Sequence, residues 1–139
     1  MIQDSEERTL VSVVVPAHNE EKCLTSLYEA VADAFDEVEE EYCWELIIVN
    51  DGSKDGTASL LDTLCEADPR VRAVHFTRNF GQQAALLAGL GEARGIVVTM
   101  DADLQQPPSV IPEMLKLYEE GYQIVHGVRH DHPQIGWFK

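Results

Sequence analysis

Leu10-Val11-Ser12-Val13-Val14-Val15-Pro16 is a nearly unbroken apolar run cut by a proline, and it opens at once onto the polar stretch Ala17-His18-Asn19-Glu20. A strand exposed on one side alternates apolar and polar residues. An unbroken β-branched run reads instead as a strand covered on both faces, as in parallel sheets. The pattern recurs at Trp44-Glu45-Leu46-Ile47-Ile48-Val49, at Val71 to Phe76, at Gly95-Ile96-Val97-Val98-Thr99-Met100, and at the shorter Ile124-Val125-His126-Gly127-Val128. Longer amphipathic stretches separate these runs. From Glu20 to about Val38, residues Leu24, Leu27, Tyr28, Val31, Phe35 and Val38 recur at helical spacing. Asp55 is placed to cap a helix carrying Leu60, Leu61 and Leu64, which stops before Pro69. A small-residue helix runs from Gln82 to about Ala93, and Pro107-Pro108 open a fourth that Gly121 closes. Strands alternating with helices predict an α/β fold: a Rossmann-like, mostly parallel sheet of five strands with helices on both faces.

The chain has 139 residues, which suits one domain. Residues 1–129 are expected to form it, with 130–139 as a patternless tail. The 25 acidic side chains outnumber the 10 basic ones, for a formal charge of −15. That balance argues against nucleic acid or an anionic membrane as a partner, since both need a basic face. Cys23, Cys43 and Cys65 are sparse and odd in number, which reads as reduced thiols in a cytoplasmic protein. The acidic start MIQDSEERT is unlike a signal peptide, and no window approaches ~18 apolar residues. The run DEVEEE (36–41) is read as a helix end and a solvated turn.

In open parallel sheets, ligands bind beyond the carboxyl ends of the strands. The residues to weigh are therefore Pro16-Ala17-His18-Asn19-Glu20, Asn50-Asp51-Gly52-Ser53, Thr77-Arg78-Asn79-Phe80-Gly81 and Asp101-Ala102-Asp103-Leu104-Gln105. Asp101 and Asp103 carry the sharpest signal. Two neighbouring carboxylates repel unless a cation neutralises them, and hard oxygen donors suit Mg²⁺ or Mn²⁺. Gln105 can add an amide oxygen or hold a metal-bound water. The alternative is an acidic turn in which Asp103 caps the next helix. Asp51 reads either as an acceptor for a nucleobase or ribose or as turn chemistry within NDGS. Asn19 and Glu20 are open between ligand binding and helix capping. His18, His75 and His126 lack metal spacing and are read as structural.

Several classes are excluded. No G-x-G-x-x-G follows the first strand, no G-x-x-x-x-G-K-[ST] occurs, and there is no G-x-S-x-G elbow. A phospho-acceptor receiver domain would want an Asp after the third strand, where Thr77-Arg78-Asn79 stands.

With VVVPAHNE, VNDGSKDGT, RNFGQQAALLAGL and MDADLQQPP in this order, the chain resembles the family 2 inverting glycosyltransferases of GT-A fold. Within them it is similar to the branch of dolichyl-phosphate mannosyltransferase and the undecaprenyl-phosphate glycosyltransferases. The resemblance, from about Val11 to Arg129, implies a UDP- or GDP-sugar donor and a polyprenyl phosphate acceptor. It implies that Pro16, Ala17, Asn19, Glu20 and Asp51 surround the nucleoside. It also implies that Asp101, Ala102 and Asp103 meet the metal and pyrophosphate, with Asp103 the catalytic carboxylate. Gln105 matches a further metal ligand, Arg129 a basic residue near the phosphates, and Gly81 a point where backbone nears the donor. In three places the chain departs from the pattern: Asn50 for a commoner Asp, His18 for Tyr or Phe, and Gln106 for Asp.

Members of this family continue well beyond 139 residues, so the chain is expected to be a shortened, donor-binding half. Membrane contact would then come only through a missing C-terminal part, with the longer protein at the cytoplasmic face of the membrane. An open sheet edge can recruit a second copy. The rival readings are a nucleotide-sugar-binding or regulatory module without turnover, and a nucleotidyltransferase, which would want a Gly-rich basic loop where AHNEE stands.

Overall fold

Four of the five apolar runs become strands in the computed structural model, which describes residues 7–128. They are β1 (Thr9–Ala17), β2 (Tyr42–Asn50), β3 (Val71–His75) and β4 (Ile96–Thr99), separated by α1 (Leu24–Asp36), α2 (Thr57–Ala67) and α3 (Gln82–Glu92). A 3-10 turn (Pro108–Val110) then leads into α4 (Ile111–Glu119). All pairings are parallel, and the strand order is β3-β2-β1-β4. The α/β class, the parallel sheet and the helices on both faces are as expected.

The expected fifth strand is not one. Residues 124–128 adopt no regular structure, and Ile124 and Val128 are each 74% exposed. An apolar run becomes a strand only where a neighbouring backbone and a covering layer receive it. Val97 on β4, the edge where another strand would join, is itself 42% exposed.

Register sorts the residues between the two faces. Val11↔Trp44, Val13↔Leu46 and Val15↔Ile48 are partners in the ladder, and all six belong to the main core with Leu24, Leu27, Val31 and Phe35 of α1. Leu61 of α2 and Ile111 and Leu115 of α4 complete that side. Trp44 stacks on Phe35 at 5.7 Å between ring centroids, with the Arg70 guanidinium 4.1 Å from its own ring centre. Arg70 also binds Asp68, which accepts the Tyr28 hydroxyl as well. The Arg70 guanidinium holds the Asp68 carboxyl far below the usual carboxylate range, against the opposing effect of burial. Among the described helices, the second face carries α3 alone. A side chain at Gly89 would strike Val14 and Val49, so the bare backbone of this helix rests directly on the sheet.

Pro16 lies inside β1, although a proline was expected to end it. The Val14 carbonyl accepts the Met100 N–H, so the even-numbered residues of β1 turn their backbone groups toward β4. The β4 ladder has already ended at Val14↔Thr99. The N–H that Pro16 lacks therefore has no partner to miss.

Under α3 sits a buried polar cluster. Glu45 is 2% exposed; it accepts the Ser12 hydroxyl at 2.8 Å, an Arg94 N–H at 2.6 Å and an Arg72 N–H at 3.3 Å. The Ser12 oxygen in turn accepts the backbone N–H groups of Arg94 and Gly95, each at 3.1 Å. The turn that delivers β4 is thereby tied to the middle of the sheet. Burial alone would raise the Glu45 carboxyl, but the Arg94 and Ser12 hydrogen bonds and the two guanidinium charges outweigh it and hold the group below its ordinary value.

Candidate functional site

The ends of β1, β2 and β4 and the start of α3 open onto one cleft of about 230 Å³. Pro16, Ala17, His18 and Glu20 come from the end of β1, Asp51 from β2, Gln82 from the start of α3, and Asp101, Ala102 and Asp103 from the end of β4. Seven of the residues singled out in the sequence are thus brought together. Asn19, Gly81 and Gln105 stand beside the cleft and act on its walls. Arg129 and the tail 130–139 lie outside the described residues.

The turns are stitched to one another by side chains. Asn19 takes a left-handed backbone (φ 53°), a conformation its short amide tolerates. Its N–H donates to the Ser53 hydroxyl at 2.9 Å, and its Oδ1 accepts the Lys54 N–H at 2.8 Å. It caps no helix, since α1 begins only at Leu24. Likewise Gly56, not Asp55, is the residue flanking α2, while Asp55 Oδ1 accepts the Thr57 N–H at 3.0 Å. His18 Nδ1 lies 2.7 Å from the Asp51 carbonyl. A carbonyl only accepts, so Nδ1 carries the proton and Nε2 is left to accept from the Asn79 or Asn19 amide, each at 3.3 Å. The histidine is structural as read, yet it also lines the cleft, which its lack of metal spacing did not reveal. Gly52 (φ 62°) lets two turns touch, because a Cβ there would strike the backbone of Arg78 and Asn79.

Asp51 is 3% exposed, and its two carboxylate oxygens accept the Phe80 N–H at 2.7 Å and the Gly81 N–H at 3.1 Å. Turn chemistry and cleft lining therefore hold together. The carboxylate pins the loop that starts α3. Gly81, at φ 100°, has room around it where no side chain would clash.

Asp101 is half-buried and accepts the Gln82 amide at 3.2 Å; Asp103 is exposed and accepts the Gln105 N–H at 3.1 Å. The cap-like bond to Asp103 is present, but it binds the loop, and the next helix begins later, at the Pro108 turn. Among the described residues, no three His, Cys, Asp or Glu side chains gather closely enough to cage a metal. Two carboxylates in an open cleft are the donor set for a hard cation that completes its shell with water and phosphate oxygens, as Mg²⁺ does. Gln82 was overlooked in the sequence, where RNFGQQ marked only Gly81. Its signal was its place at the first position of a helix that follows a strand end.

No described helix is long and apolar enough to cross a membrane. Comparison with known proteins shows the family to which the chain belongs. The chain is 44% identical over 131 residues to an undecaprenyl-phosphate 4-deoxy-4-formamido-L-arabinose transferase of Proteus mirabilis (strain HI4320), covering 93% of this chain and 39% of that protein. It is 43% identical over 129 residues to the uncharacterized glycosyltransferase YkcC of Bacillus subtilis (strain 168), covering 92% of this chain and again 39% of the relative. The chain thus spans about two fifths of the length of these relatives. Among solved structures, a mannosyltransferase from Pyrobaculum calidifontis in complex with GDP-Man and Mn²⁺ is 28% identical with a TM-score of 0.66, over 81% of this chain and 33% of that one. The family model for glycosyl transferase family 2 matches residues 12–139, the polar turns after all four strands included, and the chain belongs to that family.

Proposed function

We propose that this chain is the donor-binding part of an inverting glycosyltransferase that takes a UDP- or GDP-sugar and passes the sugar to a polyprenyl phosphate. The observation that carries the reading is the convergence of Asp101 and Asp103 with Asp51 and Glu20 on one cleft at the strand ends. Support for the donor and the cation comes from the Pyrobaculum enzyme with its GDP-Man and Mn²⁺. Support for the acceptor comes from relatives named for undecaprenyl phosphate.

Asp101 and Asp103, with Gln105, would hold Mg²⁺ or Mn²⁺. Bound there, the cation supplies charge neutralisation for the departing nucleoside diphosphate. The chain's own residues bind and orient. Pro16, Ala17, Asn19 and Glu20 shape the nucleoside side, and Asp51 offers its remaining lone pairs to a base N–H or a ribose hydroxyl. Gly81 lets backbone approach the donor, and Arg129, matched to a basic residue near the phosphates, would add positive charge there. An acceptor phosphate oxygen forms the new bond to the anomeric carbon from the side opposite the diphosphate. The carbon–oxygen bond to the diphosphate breaks, its electron pair leaves with the nucleotide, and the configuration inverts. Such an acceptor is already anionic, so strong general-base help is not required.

A thermal-shift panel of UDP- and GDP-sugars with and without Mn²⁺ tests the reading. One nucleotide class should raise the unfolding midpoint only when Mn²⁺ is present, by an amount equivalent to about 2.7 kcal/mol at a hundredfold excess over Kd. No shift with any donor in Mn²⁺ would overturn it.

A further inference from the structure

We propose that Gln82 is a positioning residue for Asp101, holding one carboxylate oxygen so that the other is kept for the cation; this rests on the donor-site reading above. Gln82 Nε2 donates to Asp101 Oδ1 at 3.2 Å, and both residues line the cleft. The two ends of this bond are anchored very differently. Asp101 follows β4 on irregular backbone. Gln82 opens α3, whose Ala85 and Gly89 are buried against the sheet. The loop before it is pinned twice by Asp51, through Phe80 and Gly81. Gln82 is itself exposed, but its backbone belongs to a helix packed on the sheet, which places its amide more definitely than the loop places the carboxylate.

The choice of amide fits the task. A lysine or arginine in its place would also donate to Asp101, but its positive charge would repel a divalent cation bound at the same carboxylate. A neutral donor fixes the carboxylate without that competition. Asp51, Gly81, Gln82 and Asp101 thus form one connected path from the nucleoside side of the cleft to its metal side.

Gln82→Met keeps length and helix compatibility and removes the donor; Gln83→Met alters a neighbour that is exposed like Gln82 but is not among the residues lining the cleft. Mn²⁺ affinity would be read from free-Mn²⁺ paramagnetic resonance in excess UDP and, separately, in excess GDP, with the ligand-free unfolding midpoint measured alongside. The expected result is Mn²⁺ binding weakened about tenfold in Gln82→Met, the scale of a lost hydrogen bond to a charged group. Gln83→Met and the unfolding midpoint of both variants should be unchanged. Wild-type affinity in Gln82→Met, an equal loss in Gln83→Met, or a loss matched by a fallen midpoint would each overturn the proposal. A wild-type chain that takes up no Mn²⁺ with either nucleotide fails earlier and overturns the donor-site reading with it.

Discussion

Asp103→Ala is expected to weaken Mn²⁺-dependent nucleotide binding about a hundredfold or more, and Asp101→Ala to do at least as much. Two unit charges about 4 Å apart interact by roughly 4 kcal/mol at the effective dielectric of a protein surface, and solvent around the exposed Asp103 lowers that figure. No Lys or Arg is among the described residues that line the cleft, whereas Glu20 and Asp51 are, and the formal charge of the chain is −15, so a diphosphate without its cation is repelled by the cleft walls. Calorimetric titration of UDP and GDP in Mn²⁺ measures the loss, with the exposed Glu113→Ala as control. Binding retained in both cleft variants would remove the metal assignment.

The second large effect is on folding. Glu45→Ala should lower the unfolding free energy by about 3 kcal/mol, because it leaves a cavity and strips the acceptor from the Ser12 hydroxyl and from two arginines. Glu92 pairs with Arg72 at 2.7 Å but is half-exposed, so Glu92→Ala should cost under about 1 kcal/mol. Urea denaturation separates the two, and equal small losses would show that the cluster is not what ties the β4 turn to the sheet. The same carboxylate makes stability sensitive to acid. Its value is lowered on folding, so its contribution is complete above the ordinary carboxylate range and fades as pH falls through the lowered folded value.

The sheet was legible because its central strands are nearly unbroken apolar runs, interrupted by Ser12 and Glu45, which is the pattern of strands covered on both faces. The same criterion misled at 124–128, where the run is present but stays exposed and pairs with no described strand. Ends of elements were less legible. Pro16 stays in β1 because β4 is short, which no reading of β1 alone could show. The cleft was legible as a convergence of strand ends, since topology brings those turns together whatever their details.

The hydrogen bonds within the cleft were not legible. Asp51 reaches the Phe80 and Gly81 N–H groups 29 and 30 positions away, and Gln82 reaches Asp101 across 19. These links depend on how α3 lies over the sheet, which its small residues allow but do not announce. Asn19, open in the sequence between ligand binding and helix capping, is a brace between two turns.

The central claim is that a divalent cation and a nucleoside diphosphate meet at Asp101 and Asp103. An acidic chain can bind Mn²⁺ loosely in many places, and a second groove of about 290 Å³ carries Asp33 and Glu37 between α1 and the Pro108 turn. Paramagnetic broadening of backbone amide resonances locates the ion directly. With Mn²⁺ and UDP or GDP present, the strongest broadening is expected at Ala102, Asp103 and Gln82, with Asp33 and Glu37 far less affected. Broadening centred on Asp33 and Glu37, or spread along the acidic run 36–41, would contradict the account.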